Sequence, residues 1–553
     1  MIKPNTVLRG TPASRGIAFG RISFLKRNPS SPKKRTVDDP AAEVARFEKA
    51  RIHAISQLGT LYEVSLEKLG EQNAVIFQIH QMMLEDPDYV NSIRELINRE
   101  SVNAEYAVDT VGHRFEAQFK SMIGNDYMQG RAADVLDISR RINEILMMHS
   151  GQIRKRTIQL DYDHGPVIVA TDDLAPSETV QLDPQKVAGI LTSAGSARSH
   201  TVIFARTLAM PAVICLGENN LHEDLEGHLA IIDGRTGFVY IDPDPATVHE
   251  YLERKRTDDA QRAHLELFRG KQTRTLSGKP VMLYANAGSL ADIELVKASD
   301  AEGIGLFRSE YIYLSSQDYP TEDEQFEIYK KILIEMNGKR VIIRTLDIGA
   351  DKTADYFMLK PESNPAMGMR AIRLCLDNKE LFKTQLRALF RASIYGNLGI
   401  MLPMISSVDE VKKSVDIITE VKKELTSRGL KYRDDVLLGI MIETPAAALI
   451  SDELAPLVNF FSIGTNDLTQ FTLACDRQNG DLSAYINPQH HAVLRLMEMT
   501  IKNAHTAGIW VGVCGEIASD ENFVAKLVQL GIDELSVVPS SILRLRARIS
   551  TLG

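Results

Sequence analysis

Between residues 276 and 553, short apolar runs alternate with longer helical segments, and the alternation repeats eight times. The runs fall at 281–285, 303–306, 341–343, 400–403, 437–442, 460–462, 510–513 and 535–538. Strands that alternate with helices build sheets whose helices cover the faces. Two folds meet that description. One is a (β/α)8 barrel, which typically takes about 250 residues; the other is a doubly wound open sheet. A count of eight favours the barrel, but periodicity alone does not separate them.

The residues before this region have a different texture. Strand-like runs over 6–25 are broken by Gly10, Pro12, Gly16 and Gly20, and a Pro/Ser/Lys-rich stretch at 29–35 reads as a linker. From residue 39, Val44, Phe47, Ile55, Leu58, Leu61, Val64 and Leu69 recur at spacings near three and four, the mark of an amphipathic helix. Helical texture continues to about residue 148. Strand texture returns at 166–170, 189–191, 212–216, 229–233 and 237–241, with a helix at 200–208 among these runs. The expected organisation is a small α/β domain (1–35 and 151–245) interrupted by a helical bundle (36–150), a linker helix (246–275) and the barrel (276–553).

Composition narrows the function classes. With 64 Lys and Arg against 73 Asp and Glu, the net charge is −9, which disfavours general binding to nucleic acid or to anionic membranes. No stretch approaches the roughly 18 apolar residues of a membrane helix, and residues 1–10 lack the apolar core of a signal peptide. Cys215, Cys375, Cys475 and Cys514 lie outside metal-ligand spacing of one another, and four cysteines in a chain this long make no disulfide framework. The expectation is a cytoplasmic protein without membrane insertion.

Unusual polar residues cluster where the strands end, and barrel active sites sit at the C-terminal ends of strands. The second run leads into Phe307-Arg308-Ser309-Glu310 and the third into Arg344-Thr345-Leu346-Asp347, followed by Gly349, Asp351 and Lys352. The fifth ends in Glu443-Thr444-Pro445, the sixth in Gly464-Thr465-Asn466-Asp467 with Arg477 beyond, and the seventh in Cys514-Gly515-Glu516. Guanidinium forks match phosphate and carboxylate. Glu443 and Asp467 suit a hard cation such as Mg²⁺, which takes few protein ligands. The set predicts a small, multiply anionic substrate and phosphoryl transfer, which depends on positioning and charge neutralisation.

A second constellation is Gly195-Ser196-Ala197-Arg198-Ser199-His200-Thr201, which leads into a helix. A histidine at a helix N-terminus is held neutral and nucleophilic by the dipole, and a phosphate added there meets free backbone N–H groups. Other polar residues have plainer roles. His80 reads as an interface or core residue, Trp510 as barrel packing, and Cys375 and Cys475 as inert. Glu85, Asp86 and Asp88 read as a solvated helix end rather than an acidic docking face.

These segments together resemble the phosphoenolpyruvate–protein phosphotransferases, the enzyme I family of the bacterial phosphotransferase system. The resemblance rests on GIGLFRSE (303–310), RTLDIGADK (344–352), NPAMGMRAIR (364–373), GIMIETPAAA (439–448), FFSIGTNDLTQFTLACDR (460–477) and VCGEIASD (513–520). Upstream it rests on IFQIHQMMLEDP (76–87), GRAADVLDISRR (130–141) and SHTVIFARTLAMPAV (199–213). It implies that phosphoenolpyruvate (PEP) binds in the barrel with Mg²⁺. The phosphoryl group would pass to His200 and then to the phosphocarrier HPr, releasing pyruvate in the first step of sugar uptake. By position, Arg308, Arg344, Lys352, Asn466, Asp467 and Arg477 resemble the substrate contacts, Glu443 and Asp467 the metal ligands, and Cys514 the proton donor to the enolate carbon. A thiol with an ordinary pKa near 8.5 has the right acidity for that role.

The resemblance further implies HPr docking on the helical insert and a homodimer formed through the barrel. The two sites lie in different domains and transfer needs close approach of reacting atoms, which predicts a large swivel about residues 245–275. Where the family usually shows Gly-Gly-Arg-Thr-Ser-His, this chain has Gly195-Ser196-Ala197-Arg198-Ser199-His200, so the arginine is displaced and the threonine missing. Ser309, Ala350, Ala366 and Met369 also depart from the family pattern. A divergent paralogue that phosphorylates a dedicated regulatory carrier is one alternative, and a non-catalytic regulator another. The ATP-dependent relatives, pyruvate phosphate dikinase and PEP synthase, need a nucleotide domain for which the helical insert leaves no room.

Overall fold

The computed structural model of the chain describes residues 4–553 apart from 26–31, 70, 122–125, 150–159, 161–164, 180, 196–198, 209, 218, 350–354 and 361; some side chains inside helices, His200 among them, are likewise not described. The chain divides into two compact units, Met1–Ala260 and Gln261–Gly553.

The first unit is built on a mixed sheet. Its strands are β1 (Thr6–Arg9), β2 (Thr11–Ser14), β3 (Ile17–Phe24), β4 (Val167–Thr171), β5 (Val187–Thr192), β6 (Ala212–Ile214), β7 (Leu229–Asp233) and β8 (Phe238–Ile241). Among the described residues the order is β1-β8-β7-β3-β4-β5-β6-β2. The β3/β4, β4/β5 and β5/β6 pairs are parallel and the remaining pairs antiparallel. Every residue of β4 is buried, as expected of a strand covered on both faces.

The helical insert is the connection between β3 and β4, which lie side by side with Phe24 opposite Ala170. It contains helices Pro40–Leu69, Glu71–Glu85, Pro87–Glu100, Ala104–Lys120 and Asp126–His149. In the first of these, Phe47, Ala50, Ala54 and Leu58 form one fully buried stripe at spacings of three and four. Burial of a Leu or Phe side chain contributes about 1.5–3 kcal/mol, so this stripe rather than helix propensity holds the helix in place. Asp86 caps the helix Pro87–Glu100, its carboxylate accepting from the Asp88 and Tyr89 backbone N–H groups. That is the solvated helix end expected from the sequence.

The second unit is a closed barrel. Its strands are β9 (Met282–Ala287), β10 (Gly303–Arg308), β11 (Arg340–Arg344), β12 (Asn397–Leu402), β13 (Leu437–Ile442), β14 (Phe460–Ile463), β15 (Trp510–Val513) and β16 (Glu534–Val537). Each pairs in parallel with its neighbour, and β16 returns to β9 with Glu534 opposite Met282 and Val537 opposite Ala285. Closure rules out the doubly wound sheet.

Leu306, Ile342, Met401, Met441, Phe460 and Cys514 fill the barrel interior. Trp510 stacks on Phe460 at 4.5 Å with the rings 8° from parallel, which is the packing role expected of it. Beside them at the N-terminal end lies the buried carboxyl of Glu534. Burial pushes its pKa well up, and Arg340 only partly offsets this. Gly512 makes room for the group, because a Cβ there would stand 1.8 Å from Glu534 Oε2. No helix among the described residues is long and apolar enough to cross a membrane.

Candidate active site

Four of the sequence-predicted barrel residues, Arg308, Arg344, Glu443 and Cys514, stand at or just past the C-terminal ends of their strands. Arg308 and Arg344 end β10 and β11 as register partners. Ile442, Ile463 and Val513 are likewise in register across β13, β14 and β15. The residues that follow them, Glu443, Gly464 and Cys514, therefore leave the sheet at one level. Two backbone bonds extend the ladder there, Gly464 N to Ile442 O (3.1 Å) and Cys514 N to Ile463 O (3.2 Å). The next turn must fold tightly against the helix Thr465–Leu473, and Gly515 allows it: a Cβ there would lie 1.8 Å from Thr465 Oγ1.

Arg344 is the most constrained of these groups. It is 6% exposed; its Nη2 donates to Glu310 Oε1 (2.6 Å) and its Nη1 lies 2.9 Å from Asp347 Oδ2. Burial works against its charge, but Asp347, Glu310, Glu443 and Asp467 outweigh burial and hold its pKa far above the ordinary arginine value. Asp347 is shared with Arg370, whose Nη2 donates to Asp347 Oδ1 at 2.9 Å. Behind the pair, Gln385 ties two strand ends together. Its Oε1 accepts from Leu346 N (2.9 Å), and its Nε2 donates to Ser309 Oγ (2.9 Å) and Tyr329 OH (3.1 Å). Ser309 Oγ in turn donates to the Arg344 carbonyl at 2.6 Å.

The carboxylates form the opposite wall. Glu443 is 1% exposed and accepts from Met404 N through Oε1 at 2.5 Å. Burial, then Asp467 and Asp347, push its pKa up to about 8, with Arg344 pulling it down. Asp467, in the first turn of its helix, has Oδ1 3.4 Å from Arg477 Nε. Asn466 is locked by a reciprocal pair: its Nδ2 donates to Glu516 Oε1 (3.2 Å) and its Oδ1 accepts from Glu516 N (3.1 Å). Cys514 points into the barrel interior and is 6% exposed; burial, with Glu534 and Glu443 adding to it, pushes the thiol up to about 12. This corrects the ordinary value assumed from sequence. The group is a firmly protonated S–H at neutral pH rather than one poised to ionise.

Among the described residues of this rim, Arg308, Arg344, Arg370 and Arg477 stand beside Glu310, Asp347, Glu443, Asp467 and Glu516. Two hard-oxygen donors, one of which has its pKa raised by the other, fit a Mg²⁺ that completes its shell with substrate oxygens and water. Glu443 and Asp467 are a pair, and no group of three or more His, Cys, Asp or Glu suited to a metal occurs among the described residues. Lys352 lies outside the described residues.

The second constellation lies in the first unit. The helix His200–Thr207 starts at His200, and Ser199 precedes it in extended conformation. Residues 196–198 are outside the described residues. Thr201 is fully buried; its Oγ1 donates to Asp173 Oδ1 (2.8 Å) and accepts from Leu174 N (3.2 Å).

Sequence reasoning named the barrel arginines, carboxylates and thiol but missed Arg370, Gln385 and the Asn466–Glu516 lock. Arg370 lies inside the 364–373 motif, which was a usable signal. Gln385 sits among the apolar residues of an amphipathic helix, where nothing distinguishes it.

Comparison with known proteins follows the same division. Residues 262–553 match the family described as PEP-utilising enzyme, PEP-binding domain; residues 9–131 match PEP-utilising enzyme, N-terminal; and residues 164–237 match PEP-utilising enzyme, mobile domain. The chain is 42% identical over 547 residues to a phosphoenolpyruvate-protein phosphotransferase of Bacillus sp. (strain S), covering 99% of this chain and 93% of the relative. It is also 42% identical to that of Bacillus subtilis (strain 168), covering 99% and 94%. A solution structure titled as an Enzyme I protein is 29% identical and covers 46% of this chain and 99% of its own, with a TM-score of 0.38. The chain belongs to the phosphoenolpyruvate-protein phosphotransferases, enzymes of the PEP-utilising family.

Proposed function

We propose that the chain transfers the phosphoryl group of PEP to His200 and then to a small histidine phosphocarrier of the HPr type, releasing pyruvate. The observation that carries this reading is the gathering of Arg308, Arg344, Glu443, Asp467 and the buried Cys514 thiol at the strand ends of one barrel, near enough for Glu443 and Asp467 to act on the charge of Arg344. The His200 helix in the first unit supplies the acceptor.

In this reading Arg308, Arg344 and Arg477, with Asn466 and Lys352, hold the phosphate and carboxylate of PEP. The Glu310 and Asp347 carboxylates orient Arg344 before substrate arrives, so no reorganisation is needed as charge moves. Glu443 and Asp467 would hold a Mg²⁺ ion, which neutralises phosphate charge when bound. The P–O bond to the enolate oxygen breaks as a P–N bond to the His200 imidazole forms. The enolate carbon takes a proton from Cys514 Sγ, giving pyruvate and a thiolate that reprotonates from solvent. A thiol held near 12 stays loaded at neutral pH and returns to the protonated form readily.

The imidazole must come within about 3–3.5 Å of the phosphorus. We assign this approach to a swivel about residues 245–275, which include the helix Pro245–Glu266. The helical insert is the docking element for the carrier, and the expected assembly is a cytoplasmic homodimer formed through the barrel. A paralogue that serves a dedicated regulatory carrier is the second reading. The departures at Ser196-Ala197-Arg198 favour it.

Incubation with PEP, Mg²⁺ and candidate carriers, followed by mapping of the phosphorylated residue, tests the reading. Acid-labile phosphate on His200, lost in His200→Ala, is the expected result. Transfer that survives His200→Ala would overturn the assignment. Cross-linking the 245–275 segment should block phosphorylation of His200; undiminished turnover would remove the swivel.

A further inference from the structure

We propose that Glu534 reloads Cys514: once the thiol has given its proton to the enolate carbon, the Glu534 carboxyl proton passes through Ser462 Oγ to the Cys514 sulfur. This role rests on the reading of Cys514 as the proton donor, and it supplies the route by which that buried thiolate recovers its proton.

Strand register sets the groups in line. Gly512 on β15 is opposite Ser462 on β14 and opposite Glu534 on β16. Successive side chains of a strand alternate between its two faces. Phe460 and Cys514 pack in the barrel interior, so Ser462 and Gly512, two residues from each in turn, face the interior as well. Gly512 has no side chain, and the Glu534 carboxyl lies over it: a Cβ there would stand 1.8 Å from Glu534 Oε2. Gly305 leaves matching room on another side, where a Cβ would stand 2.2 Å from Glu534 Oε1. The carboxyl is thus brought towards Ser462 across a position stripped of its side chain. Cys514 is the next interior position on β15, and Ser462 Oγ is near enough to favour its thiolate by hydrogen bonding.

These groups have no other task. Glu534 and Ser462 are each 1% exposed, and neither the two carboxyl oxygens nor the serine hydroxyl has a closed hydrogen bond. Native structures keep few such atoms, and those they keep ask for a function. Ser536 Oγ, the other hydroxyl near the carboxyl, already donates to Asn286 Oδ1 at 2.6 Å. The Ile463 carbonyl, 3.7 Å from Cys514 Sγ, carries no proton to give.

The proton count closes. The Sγ–H bond forms as the Ser462 Oγ–H bond breaks, and the Oγ–H bond re-forms as the Glu534 Oε–H bond breaks. Thiolate and carboxylic acid become thiol and carboxylate. Burial keeps the Glu534 carboxyl protonated near neutral pH. Buried glutamates reach about 8–9, whereas this thiol is pushed up to about 12, so the transfer runs downhill. Arg340 steadies the carboxylate that results. Met282, Arg340, Leu437 and Trp510 are part-exposed at the N-terminal end of the barrel, where water returns the proton.

The full-length chain is assayed with PEP, Mg²⁺ and an HPr-type carrier, with pyruvate followed by rapid quench in the first turnover and then in steady state. E534Q keeps the size and the neutrality of the buried group, and S462A breaks the relay at a second point. In both, the first pyruvate should form within about threefold of the wild-type rate, because Cys514 starts loaded. Steady-state turnover should fall at least about fivefold and recover as a small buffer acid is added. The double variant should be no slower than the slower single one, because the residues act in one chain. A steady-state loss under about fivefold in either variant, a first turnover slowed as much as later ones, slow turnover that buffer acid does not restore, or additive losses would each overturn the relay. Cys514→Ala is the control. If it forms pyruvate at the wild-type rate, the donor reading falls and the relay with it; a slow C514A beside a normal E534Q removes the relay alone.

Discussion

Arg344 is bound by Glu310 through a 2.6 Å contact in which both side chains are more than nine-tenths buried. Asp347 completes the arrangement at 2.9 Å from the other end of the guanidinium. The fork is held before substrate arrives, and the pair cannot be exchanged for a point charge.

Arg344→Lys keeps the charge but reaches only one of the two carboxylates, leaving the other buried without its partner. Breaking a buried pair costs about 3–5 kcal/mol, and the lost fork removes bidentate phosphate contact. The variant should lose about a hundredfold or more in kcat/KM for PEP. Steady-state kinetics check this, and a loss under tenfold would show that Arg344 does not contact substrate.

Cys514 and Cys215 should differ sharply towards alkylating reagents. Burial pushes the Cys514 thiol up to about 12, whereas Cys215 is exposed. The thiolate is the reactive form, so iodoacetamide at pH 8 should label Cys215 first and Cys514 far more slowly. Peptide mass spectrometry reads the order, and rapid labelling of Cys514 would contradict the buried acid. Cys514→Ala should slow pyruvate formation about a hundredfold or more, the usual scale for a general acid, with PEP still protecting the variant against heat.

Gln385→Leu should unlink the ends of β10 and β11. It leaves the Leu346 N–H and the Ser309 and Tyr329 hydroxyls without this partner inside the barrel wall. Loss of such bonds costs about 1–3 kcal/mol for each group left unsatisfied. The barrel should melt lower and KM for PEP should rise, because Arg308 and Arg344 stand on those two ends. Calorimetry and kinetics check the pair of effects. Nothing in the sequence marked this residue, because a buried glutamine on an apolar face looks like any other helix position until its partners on three elements are known.

Glu322 should show a pH-dependent contribution to barrel stability. It accepts from Arg387 Nε (2.9 Å), Arg391 Nη1 (2.5 Å) and Arg428 Nη1 (3.1 Å). Burial raises its pKa, but Arg428, Arg391 and Arg387 outweigh burial and hold it below the ordinary 4.5. A depressed folded pKa gives stability that is present above the unfolded value and lost as pH falls through the folded one. Glu322→Gln should therefore cost about 1–3 kcal/mol at pH 7, and the difference from wild type should shrink below about pH 4.5. Thermal melts at a series of pH values measure it, and a cost that grows in acid would reverse the sign.

The sequence by itself determined the local facts. Apolar runs of three to six residues placed all eight barrel strands, and the polar residues that follow them placed Arg308, Arg344, Glu443 and Cys514 at strand ends and Asp467 in the helix after the sixth. These are legible because a strand end and its next residue are neighbours in the chain. Tertiary structure alone decided closure, since β16 must hydrogen-bond to β9 across the whole length of the barrel sequence, and no local period records that. It alone decided that Glu310, Asp347 and Arg370 pair with or beside Arg344 and that Gln385 ties two strands. It also decided the state of Cys514, because a pKa is set by burial and neighbouring charge. Such relations depend on distance in space, which the order of residues does not contain.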